Sequence, residues 1–188
     1  KYLALDPCDH QEGYSTFMAS SPDFPVISIT GGGVQLIAEV IDSALVIHHW
    51  GGEVSLDPKR DALALRAARS RTRGHSEFDL QPWPGIFHEH SRGYLGTPML
   101  EGHRDGKDWS SKFEVTSLTS SINAFSFVAH DRHLRLELTG EISIDHNGVL
   151  RWNYRLTNQG DDYILNSLRY WLPLPDKASE KMDFFGRW

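Results

Sequence analysis

Apolar and polar residues alternate with a period of two along most of this 188-residue chain, and stretches with the helical period of 3.6 are nearly absent. Val34, Leu36, Ala38 and Val40 share one face of a strand, and a turn at Asp42-Ser43 leads into a second strand from Ala44 to Trp50. Phe125, Phe127 and Ala129 alternate with Ala124, Ser126 and Val128. Further on, Leu168, Tyr170 and Leu172 alternate with Ser167, Arg169 and Trp171 as far as Pro173. Strands of this kind each bury one face, and packing sheet on sheet satisfies all of them at once. The pattern therefore predicts an all-β fold, a large two-sheet antiparallel β-sandwich. One short, peripheral helix interrupts it. Asp57 is its N-cap, Pro58 its first residue, and the Ala/Leu-rich run from Ala62 to Ala68 its body.

One hairpin can be specified by register. Leu134, Leu136, Leu138, Ile142 and Ile144 occupy even positions, as do Leu150, Trp152, Tyr154 and Leu156 beyond Asn147-Gly148. A two-residue Asn-Gly loop would set even positions opposite odd ones and split the apolar sets between faces. A three-residue loop, His146-Asn147-Gly148, with Gly148 left-handed in a bulge, instead pairs Ile144 with Leu150 and Ile142 with Trp152. It also sets Gly140 opposite Tyr154, whose ring is expected to cover the bare glycine.

Between Ser70 and Ser111 the periodicity dissolves into Gly, Pro, His and aromatic residues. So long an aperiodic stretch inside a compact domain is usually functional. It holds Trp83, His88, Glu89, His90, Tyr94, Glu101, His103, Arg104, Asp105 and Trp109, and rings beside carboxylates and an arginine suit a sugar. Pyranose C–H faces pack on aromatic rings, and hydroxyls take directional, charge-assisted hydrogen bonds.

Charge and composition exclude other classes. With 19 basic and 25 acidic side chains the formal charge is −6, which leaves no basic field for nucleic acid. The basic cluster Arg66, Arg69, Arg71 and Arg73 reads as a solvated helix end. No apolar run approaches the roughly 18 residues of a membrane span. A lone cysteine, Cys8, cannot form an internal disulfide and permits a reducing compartment, so the cytoplasm is the expected location.

Several chemical constellations compete with plainer readings. His88-Glu89-His90 would place two imidazoles on one strand face, with His103 as a third metal ligand; the spacing matches no zincin helix, and exposed loop histidines are the simpler expectation. Neither a metal nor a cofactor is expected. His48 and His49 must point to opposite faces, and the buried one is expected to bond backbone. Asp131 with Glu137, or Glu101 with Asp105, could be named as carboxylate pairs, but acidic residues are frequent enough for chance pairs. Gly31-Gly32-Gly33 precedes a strand, not a helix N-terminus, so a turn is expected and not a phosphate loop. No Gly-x-Ser-x-Gly elbow is present.

Three segments, Leu45 to Glu53 (LVIHHWGGE), Gly93 to Ser110 (GYLGTPMLEGHRDGKDWS) and Met182 to Trp188 (MDFFGRW), carry a family resemblance in their order and spacing. From about residue 26 to 188 the chain resembles the N-terminal β-domain of glycoside hydrolase family 36, the bacterial α-galactosidases or melibiases; residues 1–25 match nothing placed. The resemblance implies a supersandwich of galactose-mutarotase-like type. It also implies a catalytic (β/α)8 barrel after residue 188, whose two aspartates hydrolyse terminal α-galactosides with retention and without a metal. The present chain would then be inactive alone, dock on its own C-terminal barrel and help shape the pocket, with homo-oligomerisation of the full-length protein left open. The pocket-side loop would run from Pro84 to Trp109, with Glu89, Tyr94 and Arg104 as the substrate-binding residues. A stand-alone carbohydrate-binding sandwich and a mutarotase-like epimerase are the alternatives. If a barrel covers one face, an exposed apolar patch rimmed by Phe184 and Trp188 is expected.

Overall fold

Both turns expected between residues 31 and 44 are present in the computed structural model, which describes residues 24–55, 57, 60–68, 85–173 and 180. Strand β1 (Ile27–Gly31) turns through Gly32-Gly33 into β2 (Val34–Ile41), which turns through Asp42-Ser43 into β3 (Ala44–Gly52). All four turn residues have positive φ, between 50° and 78°, the geometry whose twist matches that of the flanking strands. These strands form a three-stranded antiparallel sheet in chain order. After β3 comes α1 (Ala62–Ala68), preceded by Asp57, whose Oδ1 accepts the Arg60 N–H at 3.3 Å as the expected N-cap would. Next comes β4 (Leu100–His103).

A four-stranded meander follows: β5 (Glu114–Ser120), β6 (Ala124–Asp131), β7 (Leu136–Ile144) and β8 (Leu150–Asn158). The register of β7 and β8 is the expected one, with Ile144 opposite Leu150, Ile142 opposite Trp152 and Gly140 opposite Tyr154. Gly148 has φ +80°, and Asp145 Oδ1 locks the loop by accepting the N–H groups of Asn147 and Val149 at 2.9 and 3.0 Å. The cover over Gly140 differs from expectation. A Cβ there would lie 2.2 Å from Phe127, so the ring that fills the space comes from β6, with Tyr154 edge-on to it at 6.3 Å.

The two sheets face one another across a core of Ile27, Ile29, Leu36, Ala38, Leu45 and Ile47 on one side and Phe125, Phe127, Leu136, Leu138, Ile142 and Ile144 on the other. The described residues thus form an antiparallel β-sandwich with one short α-helix. A backbone hydrogen bond from Thr30 N–H to Ile122 O joins the sheets at one edge, and another from Val115 N–H to Ser43 O joins them elsewhere.

Strand β9 (Ile164–Leu168) pairs with β4 as a separate antiparallel ribbon, Leu100 opposite Leu168 and Glu101 opposite Ser167. The alternation from Ser167 to Leu172 predicted a strand that in fact ends at Leu168. Its partner strand starts just after Pro98, which has no N–H to offer, and only the Arg169 N–H to Met99 O bond extends the pairing. Phe184 and Trp188, the expected rim of an exposed patch, lie outside the described residues, as do Trp83, Cys8, Arg69, Arg71 and Arg73. Among the described residues no helix is long and apolar enough to cross a membrane.

Candidate functional site

The aperiodic stretch is anchored by a buried carboxylate. Glu89 has no exposed surface. Its Oε1 accepts the Phe113 N–H at 2.8 Å, and its Oε2 accepts Arg92 Nε–H at 2.8 Å. Arg92 spends its remaining donors on the carbonyls of Asp42, at 3.0 Å, and Phe113. Burial pushes the Glu89 carboxyl above the ordinary range, against the pull of Phe113 and Arg92. A single turn of 3₁₀-helix (His90–Arg92) follows and ends at Gly93 with φ +82°. His90 Nδ1 donates to Tyr94 O at 2.8 Å, which closes the turn.

Around that turn the rings gather in two groups. His88 packs against Tyr94 and Trp171 at 4.6 and 4.7 Å between centroids. Burial lowers the His88 pKa, and its Nδ1 finds no hydrogen-bond partner among the described residues. On the outside, Trp109 meets His90 edge-on at 5.8 Å while leaving 59% of its own surface exposed. Next to His90 the β4–β9 ribbon presents Glu101, which accepts Arg169 Nη2–H at 2.7 Å and Ser167 Oγ–H at 2.9 Å. These bonds hold the Glu101 carboxyl below the usual carboxylate range, and His90 is near enough to act on it in the same direction.

Arg104 closes the far end of the ribbon. Its guanidinium donates to Asp161 O at 3.0 Å and Asn158 Oδ1 at 2.7 Å, and it lies 5.1 Å from the centroid of the Tyr163 ring. Burial raises the Tyr163 pKa. The Tyr163 ring in turn lies over Gly102, where a Cβ would come within 2.4 Å. Arg104 therefore ties β4 to the β8–β9 connection.

The family model for the glycosyl hydrolase family 36 N-terminal domain matches residues 43–188. The chain belongs to this family. An α-galactosidase from Escherichia coli is 29% identical to this family 36 N-terminal domain over 140 residues, which is 74% of this chain and 19% of that relative. The solved α-galactosidase AgaA from Geobacillus stearothermophilus, in complex with raffinose, superposes with a TM-score of 0.60 at 13% identity, over 77% of this chain and 24% of its own. The Lactobacillus brevis α-galactosidase gives 0.61 at 14%, over 78% and 23%. The family 36 N-terminal domain thus spans about a fifth to a quarter of the proteins it resembles.

The structure gives each of the three residues expected to touch substrate its own surroundings in this domain. Glu89 is enclosed with both oxygens hydrogen-bonded, Arg104 is spent on the backbone and side chains of the β8–β9 connection, and Tyr94 is half-buried between His88 and its own loop. All three build the segment, but they do not converge on one point. The histidines flanking Glu89 are half-buried and not exposed, because the segment folds inward on that carboxylate. No group of three or more His, Cys, Asp or Glu among the described residues could hold a metal ion. Asp131 points into the interior to accept the Lys112 and Leu134 N–H groups, while Glu137 sits on the outer face with His130 at 3.1 Å, so these two do not form a carboxylate pair.

A second buried carboxylate escaped the sequence reading. Strand β3 bulges at His48, the extra residue between the pairs Ile37–His49 and Ala38–Ile47. Alternation after inward-facing Ile47 puts His48 on the outer face, where its Nε2 donates to Glu39 Oε2 at 2.9 Å in place of the expected backbone partner; the bulge sets His49, opposite Ile37, on that same side and not on the opposite face as expected. Arg66 of α1 reaches the same carboxylate through Nε at 2.9 Å and through Nη2. The helix end expected to be merely solvated thus covers the outer face of β2–β3. The signal was available in part, since Glu39 lies inside an apolar run where a lone carboxylate needs a cation.

Proposed function

We propose that this chain is the non-catalytic N-terminal part of an α-galactosidase, docked on a (β/α)8 barrel in the remainder of the protein. There it helps to shape the pocket in which that barrel hydrolyses terminal α-galactosides with retention. The observation that carries this reading is the family match over residues 43–188 in a chain that spans only 19% of its E. coli relative. The geometry agrees with it. The buried carboxylates among the described residues are committed to scaffold bonds: Glu39 to His48 and Arg66, Glu89 to Phe113 and Arg92, and Asp131 to backbone. Glu89 and Arg104 serve the pocket wall by holding it in place, and Tyr94 supplies its half-buried aromatic base. A cytoplasmic parent is consistent with this assignment.

The test is kinetic. The isolated chain turns over no aryl α-galactoside, whereas the full-length parent hydrolyses it with retained anomeric configuration. Hydrolysis by the purified chain, abolished by a point change within it, would overturn the assignment.

A further inference from the structure

The outer surface of the 90–109 segment combines features that a merely structural loop does not need. Trp109 is a large ring left mostly in water beside an ordered, hydrogen-bonded turn. Single exposed apolar residues are ordinary, but this one stands at the edge of a polar group of definite geometry. His90 is edge-on to it, and Glu101 lies beyond, held by Arg169 and Ser167. Arg169 is itself fixed by Nη1 donating to Pro98 O at 3.2 Å and by its backbone bond to Met99. The Glu101 and Arg169 side chains stay 39% and 38% exposed, and both bonds to the carboxylate fall on its Oε2, so Oε1 is left to accept from a ligand. Leu95, 94% exposed, lies on the same segment.

We propose that Trp109, His90, Glu101 and Arg169 form a saccharide-contact surface, with the Trp109 ring under the C–H face of a pyranose and the Glu101–Arg169 pair reading its hydroxyls. The chemistry fits a neutral sugar ring better than a charged ligand. A paired carboxylate and guanidinium offer an acceptor and donors side by side with little net charge, which is what vicinal hydroxyls require. This deepens the reading of the segment as a pocket wall and rests on it. It moves the contact from Glu89 and Arg104, which are enclosed, to residues that face outward. On an oligosaccharide the ring held here would be one beyond the terminal galactose, since the hydrolysed bond lies in the barrel.

The experiment compares Trp109→Ala, Trp109→Phe and Glu101→Gln with wild type in the full-length parent. Each is assayed on an aryl α-galactoside with one sugar ring and on an α-galactosyl oligosaccharide of three or more. Because Trp109 is exposed, the substitutions should leave the fold intact, as a melting curve checks. The expected result is a fall in kcat/KM of about tenfold for the oligosaccharide with Trp109→Ala, carried mainly by KM. Trp109→Phe should restore most of it, and the aryl substrate should change less than about twofold. Equal losses on both substrates with a lowered melting temperature would overturn the proposal and make Trp109 a packing residue against the rest of the protein. Unchanged kinetics on both would overturn it as well. Calorimetric titration of the same oligosaccharide separates the two readings. Trp109-dependent binding by a parent that hydrolyses no α-galactoside would sink the proposed function and leave the contact surface standing.

Discussion

Glu39 and Glu89 are both carboxylates inside the protein, both bonded to arginine, and their pKa values move in opposite directions. Glu39 gathers two cationic or donor side chains, Arg66 and His48, and although burial works against ionisation their combined effect holds it below its ordinary value of 4.5. Glu89 has a single arginine and one backbone N–H, and burial prevails, so its pKa rises above 4.5. The difference lies in supply and not in depth alone. At Glu39 a half-exposed helix residue brings a guanidinium that keeps part of its hydration, whereas at Glu89 Arg92 is itself mostly enclosed and shared with two carbonyls. One site is a clasp between helix and sheet; the other is the root of the 90–109 segment.

Removing each arginine should break the comparison open. Arg92→Ala leaves Glu89 buried without a countercharge and takes a donor from the carbonyl of buried Phe113, so a loss of about 3–5 kcal/mol is expected in urea unfolding at neutral pH. The loss should shrink as the pH falls, because Glu89 is then protonated and needs no partner. Arg66→Ala is expected to cost only about 1 kcal/mol, since Arg66 is half-exposed and His48 still serves Glu39. A larger loss from Arg66 than from Arg92 would reverse the assignment of root and clasp.

The smallest effect is one of slope. A lowered folded pKa means that the contribution of Glu39 is present above pH 4.5 and is lost as the pH falls through the folded value. A raised folded pKa means the reverse for Glu89, whose contribution is present below pH 4.5 and is lost as the pH rises through the folded value. Glu39→Gln should therefore flatten the acid limb of the stability profile, and Glu89→Gln should flatten the limb just above pH 4.5. Thermal melts taken on both sides of pH 4.5 would show whether the two variants flatten opposite limbs.

Legibility in the sequence followed how local each determinant was. The β7–β8 register could be argued residue by residue because alternation and one Asn-Gly loop confine the answer to a few neighbouring positions. The two tight turns at Gly32-Gly33 and Asp42-Ser43 were visible for the same reason. Strand β4 was not, because its four residues lie in a run of Gly, Pro and His and take their order from β9, far along the chain. The hydrogen-bond partners of Glu89 and Arg104 were not legible for a related reason. Residue type pointed to sugar chemistry, but whether a carboxylate faces water or Phe113 is decided by a partner twenty-four positions away. The sugar-facing candidates His90, Glu101 and Trp109 were visible as composition, whereas Arg169 entered only once the ribbon brought it to Glu101.

That ribbon also sets an order of events when the chain folds. The meander from β5 to β8 is made of neighbours joined by short connections, so its contacts can form early at small entropic cost. Joining Leu100 to Leu168 closes a loop that contains the entire meander, and that closure is worthwhile only after the meander exists. Contact order thus makes the ribbon the expected late step, and until it pairs, Glu101 and Arg169 are not brought together. Sugar binding there would report that folding has finished, and a chain stalled at the meander would display full β-sheet circular dichroism from those four strands while being blind to saccharide.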